Sequence, residues 1–135
     1  KFCVVRNPYD RMISELFWAS SQIYNKNLNI QMKEDMTKEE VYKLLIEYFK
    51  RGDVWDNHDI PQYKFIEDEN GEIIKDIKIF KLENFEKEMH NLGFSDYKNP
   101  KSINKNYDKY LNEDTIKLIN EKYKKDFELF GYEII

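Results

Sequence analysis

The chain has 135 residues, a formal net charge of −4, and 41% hydrophobic, 16% aromatic and 36% charged residues. This length suits one domain, the apolar share supports a real core, and the acidic balance argues against non-specific nucleic-acid binding. No apolar run approaches the roughly 20 residues of a transmembrane helix, and the one cysteine, Cys3, has no partner for an internal disulfide and reads as a core residue.

Phe2 to Val5 is a short, partly β-branched apolar run, the pattern of a strand buried on both faces. It ends on Arg6. Asn7 then suits a helix N-cap, Pro8 the first helical position, and Asp10 the third, where an acid complements the helix dipole. Met12, Ile13, Leu16, Phe17, Ser20 and Ile23 recur at helical spacing. In open α/β sheets the corner after such a strand is where ligands bind. Arg6 is a planar, always-charged fork suited to a phosphate. Ser14, on the second helical turn, adds a hydroxyl donor, and the N–H groups of the helix start point the same way. The same residues admit a structural reading, with Arg6 paired to a carboxylate and Ser14 as a small interhelix contact. The residues alone leave both readings open.

Asn25 to Asp35 reads as a polar loop. Thr37 and Glu40 have capping-box spacing, and Val41, Leu44, Leu45, Tyr48 and Phe49 mark the apolar face of a helix ending near Arg51–Gly52. This helix is expected as an insertion over the sheet. Asp53 to Gln62 is a loop, the kind of segment that carries function on a rigid scaffold. Its His58 is a candidate general base, with Asp56 and Asp59 to orient it. The same three residues could hold a metal, but they lack a ligand-spacing signature, so no metal is predicted. The alternative is that His58 and Gln62 bond backbone groups and fix the loop. Trp55 is read as a packing residue or a sugar platform.

Tyr63 to Ile66 is a short strand or helical turn, and Asp68 to Gly71 a hairpin turn. Strands are expected at Ile73–Ile74 and Ile77–Leu82. Glu83, at a strand end, would orient Arg6 or another cation. Asn84 would cap a helix with Phe85, Met89 and Leu92 on one face and a Gly93–Phe94 stop; His90 would lie at its surface. Ser95 to Asn106 is polar and carries Lys98, Lys101 and Lys105. A single last helix is expected from Asn112–Asp114 onward, with Ile116, Ile119, Tyr123, Phe127 and Phe130 inward and Tyr107, Tyr110 and Tyr132 around it.

Val5 to Ser14, V-R-N-P-Y-D-R-x-x-S, resembles the phosphate-binding motif of sulfotransferases that use 3′-phosphoadenosine 5′-phosphosulfate (PAPS). Further resemblances follow in the family's order. They are His58-x-x-Pro61-Gln62, the strand Ile79 to Glu83, and Tyr123-x-x-Asp126-Phe127 followed by Phe130-Gly131-Tyr132. Together they resemble the carbohydrate-type, Golgi and bacterial, branch.

The resemblance implies an α/β, partial P-loop-like sulfotransferase fold, with a parallel sheet core flanked by helices and a helix-rich C-terminal part. It implies transfer of a sulfuryl group from PAPS to a hydroxyl or amine of a small-molecule or carbohydrate acceptor, releasing 3′-phosphoadenosine 5′-phosphate (PAP). Arg6 and Ser14 would hold the cofactor's 3′-phosphate. Lys105, in a segment matching two positions of the family's N-K-S, would add a phosphate contact. His58 is the catalytic candidate, and no metal, nucleic acid or membrane segment is implied. The family's Gly-rich turn for the 5′-phosphosulfate has no counterpart among Gly52, Gly71, Gly93 and Gly131. Residues 1–135 are therefore expected to form one domain, the C-terminal portion of a sulfotransferase domain, with an upstream segment or subunit covering the first strand. The competing reading is a non-catalytic binding or assembly module with the same fold. A small-molecule kinase ranks last because no G-x-x-x-x-G-K-[ST] occurs. The expected compartment is the cytoplasm for a bacterial or viral chain, which is preferred, or the Golgi lumen for a eukaryotic one.

Overall fold

Strand β1 (Phe2–Val5) pairs in parallel with β2 (Lys78–Lys81), in the register Phe2↔Lys78 to Val5↔Lys81. The computed structural model describes residues 1–21, 31–51, 57–99 and 106–135. Parallel neighbours require a long crossover, and here it contains α1 (Pro8–Ser21), α2 (Lys38–Lys50) and a 3-10 turn, Gln62–Ile66. After β2 come α3 (Leu82–Asn91), a second 3-10 turn (Tyr107–Tyr110), α4 (Glu113–Lys122) and α5 (Lys124–Phe130). The protein is thus mixed α/β, with helices predominating after the second strand.

The corner after β1 forms as its residues dictate. Asn7 Oδ1 accepts the Tyr9 N–H at 2.9 Å, and the Asn7 carbonyl accepts the Arg11 N–H at 2.8 Å. Two donors of the first turn are thereby satisfied. The expectation for β1 itself needs correction, because it is not buried on both faces. Val5 is 3% exposed, but Phe2 is 64% and Val4 38% exposed. Period-two alternation puts Phe2, Val4 and Phe80 on one face. Of these only Phe80 is covered, by edge contacts with the Phe2 and Phe85 rings. With two strands in the described residues, β1 has one paired edge and one bare apolar face.

The larger core lies among the helices. Tyr9, Met12, Ile13, Leu16 and Ala19 of α1 meet Val41, Leu45 and Tyr48 of α2, with Tyr110, Ile119, Tyr123 and Phe127. Accordingly α2 packs on α1, α4 and the second 3-10 turn rather than lying over the sheet. Its capping box is complete: Thr37 Oγ1 accepts the Glu40 N–H, and Glu40 accepts the Thr37 N–H. A smaller cluster of Val5, Ile66 and Phe130 supports the sheet.

Three further expectations differ from what forms. The last helix is two helices, broken at Tyr123 (φ −111°, ψ 22°). The break leaves Phe127 in the large core and lets Phe130 reach the small one. Helix α3 starts directly off β2, with Lys81 rather than Asn84 at the cap position and no side-chain cap bond. Ile73 makes one isolated antiparallel bridge to Glu67 instead of a strand, across the Asp68–Gly71 turn. The stop of α3 does form: Phe94 N–H bonds the Met89 carbonyl and Gly93 N–H the His90 carbonyl. Gly93 sits at φ +98°, where a side chain would be strained.

Candidate functional site

Arg6 stands at the carboxyl end of β1, and its backbone is held from two directions. The Gln62 side chain accepts the Arg6 N–H through Oε1 and donates Nε2 to the Arg6 carbonyl, both at 2.8 Å. The next amide, Asn7 N–H, donates to Glu83 Oε1 at 2.7 Å, and Glu83 Oε2 accepts the Tyr132 hydroxyl at 2.8 Å. Burial, and then the Glu83 carboxylate, push the Tyr132 phenol pKa up.

Gln62 is itself anchored. Its N–H and that of Tyr63 donate to the two oxygens of Asp126, at 2.8 and 2.9 Å, and Asp126 is fully buried. Burial pushes the Asp126 carboxyl pKa up, while the two N–H groups and the Arg11 guanidinium pull the other way. The Tyr123 hydroxyl donates to the Asp59 carbonyl at 2.6 Å, pinning the same loop. Chain segments around residues 58–63, 83 and 123–132 therefore converge on one strand–helix corner.

The Arg6 side chain folds back onto α1, where Nε pairs with Asp10; the two side chains are 15% and 6% exposed. The pairing with a carboxylate, one of two readings open at the sequence level, is realised. It also fixes the plane of the guanidinium. Asp10 and Ser14 are four residues apart on α1, so they share a helix face with Arg6 laid against it. The half-buried Ser14 is thereby brought to the same face as Arg6. Any anion arriving there meets Asp10 as well as Arg6 and the positive end of α1.

His58 has different partners from those expected. Its Nδ1 lies 3.0 Å from Glu15 Oε2, its ring stacks on Trp18 at 4.0 Å and 5°, and its carbonyl accepts Arg11 Nη2 at 2.7 Å. Asp59 does not orient it; its carboxylate lies 3.9 Å from Lys122 Nζ instead. Burial pushes the Glu15 carboxyl pKa up, and His58 opposes that shift. Arg11, Glu15 and Trp18 form one stripe of α1, visible in the sequence as helical spacing but not singled out there. Asp56, Trp55 and Lys105 lie outside the described residues. Among the described residues no group of His, Cys, Asp and Glu could hold a metal ion, and no helix is long and apolar enough to cross a membrane.

Beside the corner, along β1, a cavity of about 200 Å³ is lined by Cys3, Val4, Val5, Arg11, Gln62, Phe65 and Ile66. That is below the roughly 300–1,000 Å³ of pockets that enclose a drug-sized ligand. The corner after β1 is thus a ledge at the strand end rather than an enclosed nucleotide pocket.

The chain matches the model of the sulfotransferase family over residues 52–133. No curated protein and no solved structure matches it. The matched span contains Gln62, Glu83, Tyr123, Asp126 and Tyr132, and excludes Arg6 and Ser14. Gln62 and Glu83 join the two parts, since both bond the backbone at Arg6–Asn7. A match to more than half of the 135 residues, whose polar side chains build a strand-end corner in an α/β fold, places this chain in the sulfotransferase family.

Proposed function

We propose that Arg6 and Ser14 take the 3′-phosphate of PAPS, in a sulfotransferase that moves a sulfuryl group to a hydroxyl or amine of a carbohydrate or other small acceptor. The observation that carries this reading is the double grip of Gln62 and Glu83, both in the family-matched span, on the backbone at Arg6. The residues fit a phosphate chemically: an oriented guanidinium, a hydroxyl on the same helix face, and the N-terminal end of α1. PAPS supplies the sulfuryl group and a stable phosphate leaving group. Lys105 is a candidate for a further phosphate contact. The edge of β1 that β2 leaves unpaired among the described residues supports a further strand there, of the same domain or of a partner.

His58 is proposed as the base for the acceptor. A carboxylate on Nδ1 holds the proton there and leaves Nε2 as the basic nitrogen. A non-catalytic module is the second reading. It is favoured by the pairing of Arg6 with Asp10, which already gives the guanidinium a carboxylate partner. Titration calorimetry with PAP and AMP tests the binding site: PAP should bind more tightly, and equal affinities would reject the assignment. A sulfuryl-transfer assay separates the two readings, because turnover that disappears in His58→Gln supports the enzyme and PAP binding without turnover supports the module.

A further inference from the structure

We infer that Gln62 is the positioning residue of the Arg6 anion site and that Asp126 acts on the site through it. The inference rests on the reading of Arg6 as the phosphate ligand. Its geometric basis is independent of that reading. A residue inside a sheet has its N–H and C=O paired by neighbouring strands. Arg6 lies just beyond the last paired residue of β1, and one side-chain amide takes over both bonds, at 2.8 Å each.

A primary amide presents an acceptor and a donor side by side, which is what the N–H and C=O of one residue require. Glu has no donor for the carbonyl when ionised, Met has neither group, and Asn is one methylene shorter. The root of this side chain is equally constrained, because Gln62 N–H is fixed on the buried Asp126. A relay therefore runs from α5 through the first 3-10 turn to the end of β1. Its last member carries the guanidinium, whose hold on an oxyanion falls off steeply with displacements of about 1 Å. Gln62 touches no reacting group in this account; it sets where Arg6 stands.

The test measures affinity for PAP and for AMP in the wild-type chain, Gln62→Met and Gln62→Glu. The ratio of the two affinities is the readout. Both nucleotides bind only folded protein, so a partly unfolded variant weakens both equally and the ratio is unaffected. Wild type should prefer PAP, and both variants should lose roughly tenfold of that preference near neutral pH, in line with the sensitivity of charged contacts to about 1 Å of misplacement. Gln62→Glu adds an arm that does not depend on how Gln62→Met folds. Below neutrality its carboxyl gains a proton and becomes a donor to the Arg6 carbonyl, so its ratio should climb back toward that of wild type at the same pH. Variants that keep the wild-type ratio, or a glutamate variant that does not recover in acid, overturn the positioning role while leaving Arg6 as ligand. A wild type without preference for PAP overturns the phosphate reading and this inference with it.

Discussion

Arg6→Ala should erase the preference of the chain for PAP over AMP. A charged contact to phosphate in a partly desolvated corner is worth roughly 1.5–3 kcal/mol, so PAP affinity should fall about tenfold to a hundredfold, with AMP little changed. Ser14→Ala removes a neutral donor and should cost about 0.5–1.5 kcal/mol. The pairing with Asp10 complicates the single variant. Asp10 is only 5% exposed, and removing the guanidinium leaves its charge buried without that partner. Arg6→Ala should therefore melt well below wild type. The double variant Arg6→Ala, Asp10→Ala removes both charges and should melt higher than Arg6→Ala alone, with the selectivity still absent. Melting curves and calorimetry on the four combinations separate the two effects. A double variant that regains PAP selectivity would show that Arg6 is only the partner of Asp10.

Asp126→Ala should be the most destabilising single change at the corner. It leaves the N–H groups of Gln62 and Tyr63, both half-buried, without their acceptor at the start of the first 3-10 turn. Each orphaned donor costs about 1–3 kcal/mol, giving roughly 2–6 kcal/mol in total against a typical stability of about 5–15 kcal/mol. Asp126→Asn keeps one acceptor but turns an amide donor toward the other N–H, so it should fall between wild type and alanine.

The pH dependence carries a sign. Burial raises the folded-state pKa of Asp126, so the folded state binds this proton more tightly than the unfolded chain does. The contribution of this group to stability is therefore present at low pH and declines as pH rises through the carboxyl range. Glu15, raised for the same reason, acts in the same direction. Asp126→Asn should flatten the part of the slope due to Asp126. Denaturant titrations across pH 3–7 check both points, and an alanine variant as stable as wild type would remove Asp126 from the account.

What the sequence determined by itself is the set of features decided within a few residues. Asn7 and Pro8 opened α1, Thr37 and Glu40 closed a capping box, and Gly93 ended α3 with Phe94 beside it. Each pairs groups two to five positions apart, so neighbouring residue types suffice to specify it. The corner and its Arg were legible for the same reason.

The tertiary structure decided which distant groups meet there. Gln62 reaches Arg6 across 56 residues, and Asp126 reaches Gln62 across 64. No local spacing encodes such pairs. Glu15 and Trp18 carry no mark of a site at the level of helical spacing, and only the fold lays His58 across them. The apolar run Phe2 to Val5 was read as fully buried because hydrophobicity reports a tendency to be covered, not whether a neighbour is in place to cover it. Phe2 and Val4 remain exposed because the helices gather the larger core among themselves, away from that face of the sheet.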